Sequence, residues 1–430
     1  MILAALGGAV LDAPAAETPA EKPGTVKLDT LVAETLERNP ELRFYEAEID
    51  AAKAGRKTAG LLANPELDFG IGQRHARDLN TEVQGEGLAW SVSVMQPFEW
   101  PGRIGLRKAI ANRDIELAEL GYERFKVALA GRVRTLAYGV FAAQEKAAAA
   151  GEVAARFKAL REVLVQREPA GVTPLLETRV IEAMELTMQR KASDATLGTQ
   201  AALLELNQLR GVKPAAPLAM APTDLAFAPS GNLESFVVLA RTNNFDLRLR
   251  AVELAQQGFR VSLAKNERFP TISVGPTYSQ SSAGRADSQE SIIGVGIAMP
   301  LPLWNRNSGS IEAARARQVQ AEVSFAVMQR DIERKIVEAA LTYETKRREM
   351  SQWRPDAVRH FREAAELADR HYRLGAVPVS IYVELQKQYL EAVESLLDTK
   401  KGALEAAAQL EQLAGLPLPL VTTRTEPKKP

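Results

Sequence analysis

The sequence predicts an α+β membrane protein made of two tandem structural repeats, each combining β-strands with a long helical hairpin. The first observation is a strand, a Pro-rich corner and a long helical pattern at 91–134, a unit that recurs at 292–334. The second is that the strands alternate between apolar and polar residues. The third is that the helical patterns far exceed the usual three turns. A chain that contains this unit twice is predicted to be a duplication.

Composition limits the classes of function. The 430 residues include 54 Lys and Arg and 54 Asp and Glu, so the formal net charge is zero. Nucleic-acid binding usually requires a clustered basic surface, and we expect no nucleic-acid partner. Cysteine is absent. This absence excludes disulfides, thiolate metal sites and thiol catalysis, and it is consistent with an oxidising cell envelope.

Residues 1–27 are predicted to be a signal remnant followed by a disordered linker. Ile2 to Leu11 is a short apolar run, and small residues follow it, as they do before a signal-peptidase site. The basic residues that usually precede such a run are missing, so an ordinary disordered tail is the alternative interpretation. No uncharged apolar run reaches the roughly 18 to 20 residues of a spanning helix.

The first repeat is predicted to cover residues 28–212. Asn39 can cap a helix that has Pro40 at its first position, and the pair Asn64-Pro65 ends that helix. The predicted elements, in order, are a helix over 28–38, a helix from 40 to about 62, strands at about 65–73 and 88–96 with a loop over 73–87 between them, a helix from 102 to about 167, a hairpin tip at 168–174 and a return helix over 175–209.

The second repeat is predicted to cover 233–416, after a Pro/Ala-rich linker at 213–232. Its strands are expected at about 271–279 and 291–299 and its hairpin tip at 374–378, and 417–430 is predicted to be a disordered tail. Nearly constant separations between matching residues support the duplication. Asn39 matches Asn244, and Pro65 matches Pro270, with the same number of residues between the members of each pair. Pro97 matches Pro300 and Arg103 matches Arg306 at a separation two residues shorter. Gly211 matches Gly415 at a separation between these two values.

The strand pattern favours a β-barrel in a membrane. Leu67, Phe69 and Ile71 alternate with Glu, Asp and Gly, so each strand has one apolar and one polar face. An open sheet cannot lie in lipid, because its edge hydrogen-bonding groups would be unsatisfied. Known barrels begin at about eight strands, so four strands per chain require a shared barrel, and three chains would supply twelve. A soluble antiparallel coiled coil explains the Ala-rich helices equally well, but it does not explain the strands or the repeat.

The order and doubling of several motifs resemble the TolC family of outer-membrane factors. The motifs are Asn39-Pro40-Glu41-Leu42, the corner Gln96-Pro97-Phe98-Glu99-Trp100-Pro101-Gly102-Arg103, its partner Met299-Pro300-Leu301-Pro302-Leu303-Trp304-Asn305-Arg306-Asn307, and the turn Gly375-Ala-Val-Pro378. The first corner most resembles the heavy-metal branch, the CzcC/CusC-like proteins that serve cation-exporting RND pumps. Some relatives carry a lipidated N-terminal Cys, which this chain lacks.

The resemblance implies a homotrimer with a twelve-stranded outer-membrane barrel, continued into the periplasm by a long α-helical barrel. It also implies outer-membrane lipid, a periplasmic adaptor protein and an inner-membrane RND pump as partners. The expected function is a passive exit duct of a tripartite efflux system, with heavy-metal cations as the favoured cargo. Export of drugs or of type I secreted proteins is the alternative, and a soluble coiled-coil scaffold is the rival of another class.

The resemblance also indicates functional residues near the hairpin tips. Glu177 and Glu384 follow the two turns, and three copies of each would form carboxylate rings at a closed entrance; ordinary solvated helix positions are the alternative. Tyr372 is expected to bond across the gate or to pack in a helix seam, and Arg373 to pair with these carboxylates. The tip residues Gly171, Pro174, Gly375 and Pro378 are expected to shape the turns and to meet the adaptor.

No metal site, cofactor or enzymatic activity is predicted. His75, His360 and His371 are scattered, without the spacing of a zinc site. The sequence has no P-loop, no dinucleotide-binding turn and no nucleophile elbow. Trp100 and Trp304 are expected either in an interfacial aromatic belt or in the packing between barrel and tunnel.

Overall fold

The computed structural model describes residues 25–77, 83–167, 175–282, 289–354 and 356–424. The helices are α1 (Leu28–Arg38), α2 (Pro40–Ala59), α3 (Arg103–Arg167), α4 (Leu175–Leu209), α5 (Leu233–Asn243), α6 (Phe245–Asn266), α7 (Ser308–Gln352), α8 (Ala357–Arg373) and α9 (Val379–Ala414). The strands are β1 (Glu66–Arg77), β2 (Val83–Phe98), β3 (Asp224–Phe227), β4 (Ile272–Ser282), β5 (Gln289–Ala298) and β6 (Val421–Arg424). Helix α3 has 65 residues and is therefore about 100 Å long. Within the described part of the chain, no helix combines the length and apolarity needed to cross a membrane.

The four predicted strands form one antiparallel sheet in the order β1-β2-β4-β5. The predicted loop over 73–87 is wrong at both ends, since β1 continues to Arg77 and β2 begins at Val83. Polar side chains at these strand ends conceal the alternation. Arg74, for example, donates hydrogen bonds to Ser281 and Glu290, each at 2.6 Å. Polar contacts between strands therefore extend the sheet beyond its apolar stretch.

One face of this sheet is apolar and exposed. The register pairs Phe69 with Val92 and Ile71 with Trp90, and Tyr278 with both Val92 and Ile293, so apolar side chains lie beside one another across all four strands. Exposed members of this face are Leu67, Phe69, Ile71, Leu88, Val94, Ile293, Val295 and Ile297. A continuous exposed apolar face of this kind marks a surface that meets lipid or another apolar partner.

The polar face is lined with glycines, and the backbones crowd there. A Cβ atom at Gly275 would overlap the carbonyl oxygen of Val94 on β2, and one at Gly296 would press on the Thr277 side chain. Arg74 on β1 also reaches Glu290 on β5 across two intervening strands. These close approaches indicate that the polar face is the concave side of a curved sheet, as expected for the inside of a barrel wall.

The two repeats keep one constant shift in numbering through their first halves. Asp68 of β1 pairs with Ser93 of β2, and Ser273 of β4 pairs with Ala298 of β5. Ser273 follows Asp68 by the same number of residues as Ala298 follows Ser93, so the shift from β1 to β4 equals the shift from β2 to β5. The left-handed residues that precede the long helices, Gly102 at φ 88° and Asn307 at φ 59°, are related by the same shift. We call it the repeat shift. The shorter separation predicted at the corners is therefore wrong. Pro97 corresponds to Pro302 rather than Pro300, because the strand register and the left-handed residues on either side of the corner give the same shift. The similarity of the short corner motifs is a weaker guide to this correspondence.

The long helix is continuous in the first repeat and interrupted in the second. Helix α7 ends at Gln352, where Trp353 has an extended backbone with ψ 125°, and α8 begins at Ala357. Pro355 lies between them in the sequence and has no N–H to continue a helix. Gly211 and Gly415, the left-handed glycines that end the two repeats, are separated by one residue fewer than the repeat shift. The second repeat therefore carries a deletion of one residue.

A second, small sheet corrects two predictions. Strand β3 lies in the predicted linker at 213–232 and pairs with β6, which lies in the predicted disordered tail at 417–430. The hydroxyl of Tyr343 on α7 donates to the carbonyl oxygens of Ala228 at 2.6 Å and Leu420 at 3.0 Å, and so fixes this sheet to the helices. Val26, within the predicted linker at 1–27, forms a parallel bridge with Met220. Residues 1–24 and 425–430 lie outside the described part.

The core lies between the helices rather than under the large sheet. Its largest cluster joins α1, α3, α4, α8 and α9 through side chains such as Val133, Phe157, Ile181 and Leu404. Buried alanines including Ala137, Ala365 and Ala403 allow the helices to approach closely. The helices therefore form one packed body, and the large sheet extends from it with one face uncovered.

We expect Gly275→Ala to destabilise the protein, because the new Cβ meets the β2 backbone at the strand pair that joins the repeats. Overpacking of this kind typically lowers the free energy of unfolding by about 1–3 kcal/mol. Gly72→Ala is the matched control, since Gly72 is on the same polar face and a Cβ there has open space. Thermal unfolding of both variants in detergent, followed by circular dichroism, measures the difference. Equal melting temperatures for the two variants would contradict the crowding at Gly275.

Candidate functional site at the hairpin tips

The described tip joins α8 to α9 and has the expected turn chemistry. Gly375 has φ 72°, as its role in the turn requires. The amide of Gly375 donates to the Tyr372 carbonyl and the amide of Ala376 donates to the His371 carbonyl, each at 2.9 Å. These are the two hydrogen bonds of a Schellman motif at a helix C-terminus. Pro378 caps α9, which starts at Val379. Gly171 and Pro174 of the other tip lie outside the described residues, and α4 begins just after them at Leu175.

Three aromatic rings connect the helices beside this tip. Tyr372 on α8 stacks on Tyr382 of α9 with ring centroids 5.3 Å apart, and Tyr382 meets the edge of Phe157 on α3 at 5.2 Å. Burial raises the pKa of Tyr382, so this hydroxyl stays protonated in the physiological range. The stack holds the end of α8 against the two neighbouring helices.

Tyr372 also contacts a predicted gate residue. Its hydroxyl donates to the Glu177 carboxylate on α4 at 3.2 Å. Tyr372 therefore packs in a helix seam, and its hydroxyl also binds a carboxylate of another helix. The bond joins the second hairpin to the return helix of the first, although the two residues are 195 positions apart in sequence. A gating role for this bond stays a prediction.

The other predicted gate residues have separate surroundings. Glu384 is exposed on α9 and accepts a hydrogen bond from Gln388 of the same helix at 2.8 Å. Glu177 is half-buried on α4 and accepts the hydrogen bond from Tyr372 already described. The expected pairing of Arg373 with these carboxylates is wrong: Arg373 binds Asp369, one turn earlier on α8, at 2.9 Å. A partner four residues away on the same helix is available without any movement of a second helix.

An ion-pair network farther from the tip was not predicted. Glu152 on α3 binds Arg156 at 2.6 Å and Arg362 of α8 at 2.9 Å. Arg156 also donates to Gln386 of α9 at 3.2 Å and approaches Glu366 of α8 at 3.5 Å. The hydrogen bond that the Arg362 guanidinium donates to the Glu152 carboxylate raises the pKa of Arg362. No sequence signal points to this network, because its members belong to different repeats and each residue type is common on helix surfaces.

The histidines show no metal-binding arrangement. His75 lies 3.2 Å from Glu86 on the neighbouring strand, and His360 lies 2.9 Å from Asp356, which directly precedes its helix. Among the residues that the structure describes, no group of three His, Asp or Glu side chains is placed to hold a metal ion.

Comparison with known proteins gives a consistent result. The model of the family described as outer membrane efflux protein matches residues 31–212 and 236–416. The cobalt-zinc-cadmium resistance protein CzcC of Cupriavidus metallidurans is 20% identical over 401 residues, covering 92% of each chain. The pyoverdine export outer membrane protein OpmQ of Pseudomonas putida is 22% identical over 413 residues, covering 90% of this chain and 86% of OpmQ.

Solved structures show the same fold. A crystal structure of CusC, described in terms of folding and transmembrane channel formation, superimposes with a TM-score of 0.70 at 16% identity and covers 90% of this chain and 92% of CusC. The predicted combination of strands and long helical hairpins in tandem repeats is therefore confirmed.

We expect Tyr372→Phe and Tyr382→Phe to differ in stability although both keep the aromatic stack. Tyr372→Phe removes the bond to Glu177, and the loss of such a bond typically lowers the free energy of unfolding by about 1 kcal/mol. The Tyr382 hydroxyl is buried and has no hydrogen-bond partner among the described residues, so Tyr382→Phe should be neutral or slightly stabilising. Thermal unfolding in detergent at pH 7 compares them. A larger loss for Tyr382→Phe would contradict this assignment of the hydroxyls.

Proposed function

Because the chain belongs to the outer membrane efflux protein family, we propose that it is the outer-membrane exit duct of a tripartite efflux system. In this proposal three copies form a twelve-stranded barrel in the outer membrane, and their helices form a tunnel through the periplasm. The tips meet a periplasmic adaptor, and an inner-membrane RND pump supplies the energy. The protein itself is a passive conduit with no catalytic step.

The exposed apolar face of the large sheet carries the proposal. Residues such as Phe69, Ile293 and Ile297 are exposed on one side of a sheet whose other side is polar and crowded with glycine. This is the distribution of a barrel with lipid outside and water inside. The sheet has edges at β1 and β5, and a bilayer leaves no water to satisfy them. Further copies of the chain would satisfy both edges and complete the wall.

Heavy-metal cations are the proposed cargo. Support comes from the corner motif at Gln96–Arg103 and from the similarity to CzcC, which is named for cobalt, zinc and cadmium resistance. OpmQ is named for pyoverdine export, so export of a small organic molecule is the alternative, beside drugs and type I secreted proteins. A duct does not need a metal site, because selection of the cargo takes place in the pump.

The proposed entrance is formed by the helices after the two tips. Glu384 is exposed and bonds only within its own helix among the described contacts, so three copies of it can face a common axis. Like charges held close together in a narrow mouth repel one another and attract cations. Glu177 would contribute a second ring when its bond to Tyr372 opens. The tips, including Gly375 and Pro378, would receive the adaptor.

We expect Glu384→Ala to raise single-channel conductance in planar lipid bilayers or to reduce cation preference, because it removes one ring of charge from the narrow end. Glu391→Ala is the control: Glu391 is exposed on the same helix and, two turns farther from the tip, lies about 10 Å away. Unchanged conductance and selectivity for Glu384→Ala would remove this residue from the gate. A soluble coiled-coil scaffold would form no channels and would be extracted without detergent.

Deletion of the gene should sensitise cells to cobalt, zinc or cadmium if the cargo is a metal cation. Growth inhibition by these metals is compared with inhibition by lipophilic dyes and with secretion of pyoverdine in the same strain. Increased sensitivity to dyes alone, or loss of pyoverdine secretion alone, would overturn the metal assignment while leaving the duct in place.

A further inference from the structure

We propose that Arg74 and Glu290 set the charge of the channel wall at the outer mouth of the duct. The guanidinium of Arg74 holds the carboxylate of Glu290 against the wall, so departing cations meet no ring of free carboxylates there. The proposal deepens the proposed function and rests on it, because the polar face of the sheet becomes a channel wall only when copies of the chain close a barrel. The two residues determine specificity at the end of the duct opposite to Glu384.

The pair lies at the end of the large sheet that is remote from the long helices. Strand β2 ends at Phe98, shortly before α3, and β5 ends at Ala298, shortly before α7. Arg74 lies near the opposite end of the sheet, close to the last residue of β1, and Glu290 is the second residue of β5. Since the helices of the proposed duct extend into the periplasm, this end of the sheet is its outer mouth.

Small residues leave room for the Arg74 side chain to lie flat across the polar face. The register places four residues of this face side by side across the four strands, namely Gly72, Ala89, Ser281 and Glu290. Arg74 follows Gly72 on the same face, and its direct partner on β2 is Gly87, which has no side chain. Its guanidinium therefore reaches the Ser281 hydroxyl and the Glu290 carboxylate, each at 2.6 Å.

Arg74 is the residue that balances the acidic charge of this face. Strands β2, β4 and β5 contain no Lys or Arg. Strand β1 contains two arginines, and the second, Arg77, lies beyond a shift in the strand register. The carboxylates on the polar face of the strands are Glu66, Asp68 and Glu290. Of these three, Glu290 is the one that forms an ion pair with an arginine among the described residues.

The pairing lowers the negative charge of the wall toward the exit. Asp68 lies about 20 Å before Arg74 along β1, where its unpaired carboxylate attracts cations. Conduction also requires that an ion is bound weakly enough to leave. Three unpaired copies of Glu290 would hold cations at the mouth, whereas a carboxylate paired with a guanidinium carries no net charge. Cations are therefore drawn into the barrel by Asp68 and released past Arg74.

The charge of the mouth is measured as the permeability ratio of potassium to chloride, from reversal potentials of single channels in planar lipid bilayers. The salt is kept at about 0.1 M or below, because screening shortens the range of the charges to about 10 Å at that concentration. Arg74→Gln frees Glu290 and should raise the ratio, and Glu290→Gln frees Arg74 and should lower it. The double variant Arg74→Gln/Glu290→Gln should restore the ratio of the unchanged protein.

Asp68→Asn is the matched control on the same strand and face. It should lower the ratio by the same factor with Arg or with Gln at position 74, because Asp68 is too far away to interact with either. Each variant is also measured in the Glu384→Ala background, so that a narrow entrance at the tips does not dominate the selectivity.

Opposite shifts for the two single variants that cancel in the double variant support the proposal. Shifts of the same sign, a double variant that does not restore the ratio, or an unchanged ratio in both backgrounds would overturn the role of Arg74 and Glu290 and leave the duct intact. Unchanged protein that forms no channels would overturn the proposed function, and this inference with it.

Discussion

The unpaired edges of the large sheet govern the rest of this structure. An apolar sheet face requires an apolar environment, and a lipid environment requires every backbone N–H and C=O to find a partner. Strands β1 and β5 each leave one edge unpaired within the chain. These two requirements cannot be met by one copy of four strands. The chain is therefore built as a segment of a wall, and the polar face crowded with Gly275 and Gly296 gives this segment its curvature.

Duplication explains how one sequence produces both sides of a contact. The pair of strands at the middle of the sheet, β2 and β4, joins the repeats inside the chain. Arg103 strengthens this joint below the sheet, where it donates to Asn266, Thr271 and the Phe269 carbonyl. The two corners have diverged, since the second leaves Trp304 exposed, whereas Trp100 in the first stacks on Phe269.

The sequence predicts the elements whose periodic pattern extends over many residues, and it does not predict those that depend on partners distant in the chain. The return helix over Leu175–Leu209 and the strand faces follow from repeating patterns, and the structure agrees. Strands β3 and β6 have 4 residues each, which is too short for alternation to be visible. They form because β3, at the start of the second repeat, pairs with β6 at its end, and Tyr343 hydrogen-bonds beside both strands. At the tips the residue types could be located by their distance from glycine, but the pairing of Arg373 with Asp369 depends on a rotamer choice that no spacing reveals.

The two hairpins differ in stiffness, and this difference bears on how an entrance could open. The first hairpin contains α3, which is unbroken over 65 residues. The second is interrupted between Gln352 and Ala357, so α8 is a separate segment of 17 residues. Beside the buried core and the aromatic stack, ion pairs of Arg362 with Glu152 and of Arg156 with Glu366 hold that segment to α3. Half-exposed ion pairs exchange readily with water, whereas an unbroken helix bends only slightly along its length. In the proposed duct, movement at the entrance would therefore be easier in the second hairpin, and the bond from Tyr372 to Glu177 would be the contact that breaks when it separates from the first.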